Sequence, residues 1–563
     1  MLLGIDVGGT FTDAVLIDGT KVLAQAKKRT THEDVLVGIL AALDAVVQQS
    51  GLCLPVRGGV SEADGGVIER VVISSTIVTN ALTEHKLAPV FLATIPGPGM
   101  NTKGKFPVTA KEVTGYVDHR GKITAHIDWQ KHRDITNLKG SGAAAVSGKF
   151  SVRDAGLERE LANQLKEQGF SPVFLGSVLN GELNFVRRTN SAFYAAATYE
   201  LFNKFAKAAT RALYQRQIVA PVFILKADGG TLPLTEALKQ PVEAIFTGPS
   251  ASVLGIEALV APAVNAISLD VGGTTTDIAF WEHSQPLMAK RGAVVEGYPT
   301  AVRTFHMRSV GIGGDSAVTK NADGTYQVGP VRQGPAVALG GAVPTLGDAL
   351  IVAGRVHFGD EAKAFVALSQ FGEPKVEAEK IVTTAVTVIK NTIQEMLAEW
   401  ALQPVYTVED ILKGTEFQPQ LLVGVGGGAP GLINALGEDM GLPVDIPTGA
   451  MVANAIGAAL SRPTMSAGLR ADTSEGFYLI PEEGKKQKLP SGFSMNKAQQ
   501  LLTEYLQRST AAWQLPNQEV EVISKEFFNT IHGYYDSGEI INLRMQLKPG
   551  ILHKISVAQE VEL

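Results

Sequence analysis

Ile5-Asp6-Val7-Gly8-Gly9-Thr10-Phe11-Thr12-Asp13 and Leu269-Asp270-Val271-Gly272-Gly273-Thr274-Thr275-Thr276-Asp277 are the two stretches that decide the architecture of this chain. They are identical except at their first and seventh positions and lie 264 residues apart (270 minus 6), far beyond a solenoid period. Apolar segments flank both, Met1 to Ile5 with Ala14 to Ile17, and Ala266 to Leu269 with Ile278 to Trp281; the pattern predicts strand, Gly-Gly turn, strand. The repeat therefore marks two related α/β lobes. Paired glycines lack Cβ atoms, so consecutive backbone N–H groups can approach an anion, while threonine hydroxyls add further donors: the turn is suited to cradle phosphate. Asp6 and Asp270, each at a strand end, are candidates to hold a divalent cation directly or through water, as Mg2+ prefers beside phosphates. One isolated hairpin would carry Asp and Gly for turn geometry alone; two near-identical copies weigh against that account.

Glycine is the one compositional excess, 59 of 563 residues against a usual ~7%. A third cluster, Leu421-Leu422-Val423-Gly424-Val425-Gly426-Gly427-Gly428-Ala429-Pro430-Gly431, runs from an apolar strand into glycines and then an amphipathic segment, Leu432 to Met440. It contains GxGxxG at Gly426, Gly428 and Gly431, with Asp445 downstream, so a dinucleotide-binding turn is one local reading. A turn against which a nucleotide base and ribose pack is the other, and Pro430 disfavours the first. Gly99 to Lys105 matches the first seven positions of a P-loop, but Phe106 replaces the Mg2+-binding Ser or Thr and Pro107 follows; it reads as a flexible basic loop.

The length predicts three to four domains, and 45% hydrophobic with 19% charged residues is too apolar for a disordered chain. A net charge of −6 offers no overall electrostatic case for nucleic acid or an anionic membrane. The single cysteine, Cys53, excludes an intrachain disulfide or multi-thiolate metal site and suits a reducing cytosol. The N-terminus has no basic n-region, and no apolar run approaches the ~18 residues of a membrane span, so a soluble cytoplasmic chain is expected.

The three glycine motifs, in this order, resemble the phosphate-1, phosphate-2 and adenosine motifs of the actin, sugar-kinase and heat-shock ATPase superfamily. Further blocks narrow the match: Ile73 to Leu82, Arg188 to Ala192, Asp228 to Gly230, Thr247 to Gly255, Gly311 to Ser316 and Pro344 to Ala349 resemble successive blocks of the hydantoinase/5-oxoprolinase family, A-type subunit. The resemblance implies an α/β chain of two RNase H-like lobes with ATP in the cleft between them. It implies a subunit that phosphorylates the amide carbonyl oxygen of a hydantoin, oxoproline or other lactam, with a B-type partner completing hydrolysis. Carried onto this chain, Asp6 and Asp270 organise Mg2+ and catalysis; Gly8, Gly9, Thr10, Thr12, Gly272, Gly273, Thr274 and Thr276 cradle phosphates; Gly426, Gly427 and Gly428 face the adenosine. Two departures stand out. Many members carry His-Gly where this chain has Ile73-Ser74, and a block usually ending Asn-Pro-x-His-Glu is here Asn180-Gly181-Glu182-Leu183-Asn184. These put the substrate in doubt, and a small-molecule kinase or a nucleotide-gated binding or assembly protein stays open, as does self-association.

The motifs suggest lobes at 1–185 and 186–469 and a small α+β appendage at 470–563. In the appendage a helix is expected over Met495 to Trp513 with Asn496 as cap, then strands at Glu519 to Ser524 and Glu539 to Met545 around Gly533 to Gly538. Glu377 to Trp400 has helical period and reads as core. His119, His126 and His132 fit no zinc spacing and read as solvated residues around an Arg120-Gly121 hairpin. Asp13, Asp277, Asp228 and Asp315 lie near motif turns and could act on substrate or merely cap turns.

Overall fold

Both copies of the repeat fold as antiparallel hairpins with the same register. Leu2–Val7 pairs with Phe11–Asp18, placing Asp6 opposite Asp13; Ala266–Val271 pairs with Thr276–Glu282, placing Asp270 opposite Asp277. In the computed structural model, which describes residues 1–31, 35–51, 67–402, 417–513, 519–532 and 536–556, each hairpin is the centre of a six-stranded sheet. The first runs Thr231–Pro233, Val222–Leu225, Arg70–Ser75, Leu2–Val7, Phe11–Asp18, Lys21–Arg29. The second runs Gln285–Pro286, Thr276–Glu282, Ala266–Val271, Leu421–Val425, Val444–Asp445, with Met307–Val310 also paired to Thr276–Glu282. In each, the neighbours on one side of the central strand are antiparallel and those on the other begin with a parallel pair. This is the two-lobed RNase H-like plan. Parallel strands need cover on both faces, and Val71, Val72 and Ile73 are accordingly fully buried.

Helices Val35–Ser50 and Phe185–Gln215 pack on one face of the first sheet against Leu3, Ile5 and Val7. The opposite face, through Val15 and Ile17, meets helices Thr247–Leu259 and Ala453–Leu460, which lie between the lobes and also touch Val423 and Trp281 of the second sheet. Both helices are built of small residues, for a reason visible in the contacts. A Cβ at Gly457 would lie 2.1 Å from the Ala251 carbonyl oxygen, one at Gly255 2.2 Å from that of Ala453, and one at Gly4 2.1 Å from that of Ala455. Backbone therefore meets backbone where the lobes join.

A four-stranded parallel sheet (Val173–Leu175, Ala144–Gly148, Phe91–Ile95, Lys111–Glu112) is inserted before the long helix Phe185–Gln215. The Arg120-Gly121 hairpin forms as Tyr116–Val117 with Ile123–Ala125. His119 and His126 are exposed, but His132 is buried, its Nε2 accepting from the Thr114 N–H at 2.9 Å, so it is a structural acceptor and not a solvated residue. In the second lobe Pro374–Ala401 buries Ile381, Ala385, Ile389, Ile393 and Met396.

The C-terminal part is a five-stranded antiparallel sheet, Lys485–Lys488, Phe477–Ile480, Ser466–Asp472, Asp536–Leu547, Val520–His532, covered by helix Met495–Thr510. Ser494, not Asn496, caps that helix, its side chain accepting from the Lys497 N–H at 3.4 Å. Cys53 and residues 533–535 of the hairpin connection lie outside the described residues.

Both expected boundaries are corrected. A cut at 185/186 would leave Val222–Leu225 and Thr231–Pro233, two strands of the first sheet, in the second lobe. A cut at 469/470 would divide the strand Ser466–Asp472. The appendage is also not free-standing: Ile551 and Ile555 join the core between the lobes, and Ser556 bridges to Lys21. Motif order marks turns, whereas sheet membership depends on pairings that the motifs do not contain. Among the described residues no helix is long and apolar enough to cross a membrane.

Candidate functional site

Directly opposed residues share a sheet face, and the registers set two matching rows. Across the first sheet the row is Lys27, Asp13, Asp6, Ser74; across the second it is Ser309, Asp277, Asp270, Val425. Lys27 Nζ donates to Asp13 Oδ2 at 2.6 Å and to the Met451 carbonyl oxygen at 3.1 Å. Ser74 Oγ donates to Asp6 Oδ1 at 2.6 Å, and Ser309 Oγ donates to Asp277 Oδ1. Asn454, on the helix between the lobes, joins the rows: its Nδ2 donates to Asp270 Oδ2 at 3.0 Å and to Asp6 Oδ2 at 3.4 Å.

Burial pushes the carboxyls of Asp6 and Asp270 above the usual range. Burial lifts Asp13 to about 7 against the pull of Lys27, and burial with the nearby Asp270 charge lifts Asp277 to about 7. Four carboxyl groups thus face one ammonium, and Asp13 Oδ1 has no hydrogen-bond partner among the described residues. That donor set fits a divalent cation held through two protein carboxylates, with phosphate oxygens and water supplying the rest. It does not fit an all-protein cage: among the described residues no group of three or more His, Cys, Asp or Glu is placed to hold a metal.

The two turns close identically, the Gly8 N–H donating to Phe11 O at 3.0 Å and the Gly272 N–H to Thr275 O at 2.9 Å. They face each other, since a Cβ on Gly273 would lie 3.1 Å from Thr10 Oγ1. Gly8, Gly9, Thr10, Gly273 and Thr274 are half-buried and Gly272 is exposed, so their groups remain accessible. The block Gly311 to Ser316 braces the second turn, with the Gly314 N–H on Gly272 O at 3.0 Å and the Asp315 N–H on Gly273 O at 2.6 Å. The third glycine cluster lies against it too. Gly426 has φ +90°, and a Cβ there would sit 2.6 Å from Asp270 Oδ1; Gly427 has open space beside it, and Gly428 abuts Val271.

Thr12 and Thr276 do not join this surface, which corrects the expectation that they cradle phosphate. Both are fully buried, Thr12 Oγ1 sharing a hydrogen bond with Thr30 Oγ1 at 3.0 Å and Thr276 Oγ1 donating to Ile312 O at 2.7 Å. Asp228 lies elsewhere, bound by Lys226 Nζ at 3.0 Å and the Gly230 N–H at 2.9 Å; Asp315 pairs with Arg332 at 2.9 Å. Asp228 is committed to local structure, whereas Asp315 also abuts the second turn, its Oδ2 2.9 Å from where a Cβ on Gly273 would lie. Asn180 likewise serves a turn, its side chain accepting from the Glu182 N–H at 2.8 Å. Lys27, Ser309 and Asn454 were not legible as site residues, although Asn454 is the one polar residue in the otherwise apolar run Ala453 to Leu460.

The hydantoinase/oxoprolinase model matches residues 188–467 and the hydantoinase/oxoprolinase N-terminal region model matches residues 2–169. The acetophenone carboxylase gamma subunit of Aromatoleum aromaticum is 24% identical over 499 residues, covering 79% of this chain and 66% of its own length. The caprolactamase subunit alpha of Pseudomonas jessenii is 23% identical over 489 residues, covering 78% and 67%. The chain thus spans about two thirds of the length of these relatives. The ATP-dependent caprolactamase structure from the same organism aligns with TM-score 0.68 at 20% identity, over 97% of this chain and 87% of that one. A nucleotide-free acetone carboxylase structure aligns with TM-score 0.71 at 16% identity, over 100% of this chain and 89% of that one. With both family models falling on the lobes that carry the twin turns, the chain belongs to the hydantoinase/oxoprolinase family.

Proposed function

We propose that this chain is the ATP-using subunit of an enzyme that opens a cyclic amide, a hydantoin, oxoproline or other lactam, by phosphorylating its carbonyl oxygen. The single observation that carries the reading is the pair of matched rows, which bring Asp6 and Asp270 of two accessible Gly-Gly-Thr turns within reach of one amide group. A relative is named as a caprolactamase subunit, and its solved structure as ATP-dependent, which supports the choice of both nucleotide and ring.

In this reading the backbone N–H groups of Gly8 to Thr10 and Gly272 to Thr274 orient the phosphates, and Gly426 to Gly428 leave room for the adenosine beside the second turn. Asp6 and Asp270 would hold Mg2+, which when bound neutralises charge on the phosphates. The ring carbonyl oxygen attacks the terminal phosphorus, the bond to the bridging oxygen breaks, and ADP departs. The resonance of the amide is thereby lost and its carbon becomes electrophilic. Water then adds at that carbon, the ring C–N bond breaks with the nitrogen leaving as the amine, and a second water hydrolyses the resulting acyl phosphate to carboxylate and phosphate, steps we assign to a B-type partner subunit, in keeping with relatives named as subunits. We place the protein in the cytoplasm, where ATP is supplied.

The test is ADP release with Mg2+ across hydantoins, oxoproline and lactams, for the chain alone and with its B-type partner. Ring-stimulated ADP release that is lost in Asp6→Ala and Asp270→Ala is expected. A stable phosphate ester released as product would instead identify a small-molecule kinase, and ATP binding without any ring-stimulated turnover would sink the amidohydrolase reading.

A further inference from the structure

Asn454 occupies a position that the twin-turn motifs do not account for. The helix Ala453–Leu460 is otherwise alanine, isoleucine, glycine and leucine, and its backbone is pressed against Gly4 and Gly255. Asn454 is therefore carried on an element held against the first sheet and against the helix Thr247–Leu259. Its side chain reaches one aspartate from each lobe, Asp270 Oδ2 at 3.0 Å and Asp6 Oδ2 at 3.4 Å, through the same Nδ2.

The chemistry of that position is restrictive. Two carboxylates brought together repel, and a bridge between them must donate to both. A primary amide offers two N–H groups on one nitrogen without adding charge. Lysine or arginine would neutralise the carboxylates and compete with a divalent cation for them; aspartate would add repulsion; alanine or leucine would donate nothing. Ser74 cannot substitute, because it serves Asp6 alone.

We infer that Asn454 is an interlobe positioning residue: it fixes the separation of Asp6 and Asp270, so that the two half-sites for Mg2+ and phosphate exist as one site only while the lobes are in register. This rests on the nucleotide reading above for its role in turnover, but its geometric part does not. The amide aligns two anions while leaving their charge available to the cation.

The test uses the full chain and has two readouts. Spin labels at Gln48→Cys in the first lobe and Lys375→Cys in the second, in a Cys53→Ser background, report the interlobe distance without any ligand. Asn454→Ala and Asn454→Leu should broaden that distribution, while Ser74→Ala leaves it as in the parent. Titration with ATP, with Mg2+ and in excess EDTA, gives the second readout. Asn454→Ala should weaken the Mg2+-dependent binding about 10- to 100-fold, the range expected on losing hydrogen bonds to charged groups, and leave EDTA binding within about twofold. Circular dichroism and thermal melting identify any variant that has simply unfolded. Asn454→Gln, which keeps the amide on a longer stem, should recover part of the loss. Unchanged distance distributions in both Asn454 variants overturn the inference, as does equal weakening with Mg2+ and EDTA. If the parent binds no ATP while Asn454→Ala still broadens the distances, the nucleotide reading fails and the positioning role stands.

Discussion

The two halves of the site share a backbone and differ in what flanks the aspartates. In the first, Asp13 is paired with Lys27 and Asp6 with Ser74; in the second, Asp277 has only the Ser309 hydroxyl and Asp270 faces the apolar Val425. The first row is partly compensated by a directly bonded lysine, whereas among the described residues no cation hydrogen-bonds to the second. The same divergence recurs one turn deeper: Gly4 is bare so that the Ala455 carbonyl can approach, whereas its counterpart Ser268 accepts from Trp281 Nε1 at 2.8 Å. Repetition fixed the turn and the register; the neighbours then specialised each half.

The largest expected effect concerns the uncompensated row. Asp270→Ala should lower ring-stimulated ADP release by about 1,000-fold, and Asp6→Ala by about 100-fold, the range for removing a group that stabilises charge at the reacting phosphoryl. Equal losses would show that the two rows share the cation evenly. Next, Lys27→Met leaves Asp13 buried without its partner and should cost about 3 kcal/mol of stability by denaturant melting. Ser309→Ala on the matching strand should cost only about 1 kcal/mol. A reversed order would break the comparison.

Gly4→Ala tests the other divergence. The added methyl would lie 2.1 Å from the Ala455 oxygen and should destabilise by about 2–3 kcal/mol, whereas Ser268→Ala at the matching position should cost about 1 kcal/mol. The last test is a control away from both rows. Burial lifts Glu257, on the helix Thr247–Leu259, to about 7 against Arg462 and Lys554. A carboxyl whose folded value is raised costs stability as pH climbs from its unfolded value near 4.5 through 7, so Glu257→Gln should stabilise by about 1–3 kcal/mol at pH 8 and hardly at all at pH 4. A gain that did not grow with pH would show that ionisation of Glu257 is not what costs stability there.

Much of this could be read from residues alone, because turns are local. The Asp-Val-Gly-Gly-Thr copies, the strands flanking them and the glycine run before Ala429 follow from a few contiguous side chains and the absence of Cβ atoms. The periodic helix over Pro374–Ala401 was legible for the same reason. The lobe boundaries were not, since Val222–Leu225 joins the first sheet by pairing with Arg70–Ser75 across some 150 residues. Nor was the burial of the Thr12 and Thr276 hydroxyls, which depends on Thr30 and Ile312 arriving from other strands and loops.

The sequence by itself determined the two turns and their shared register, because backbone conformation within a tight turn is set by its own residues. Only the tertiary structure decided that Lys27 belongs to Asp13, that Ser74 belongs to Asp6, and that Asn454 holds Asp6 and Asp270 together. Those partners come from separate strands and from a helix far along the chain from both turns. Their meeting is fixed by the packing of two sheets and two glycine-bearing helices, which no local pattern encodes.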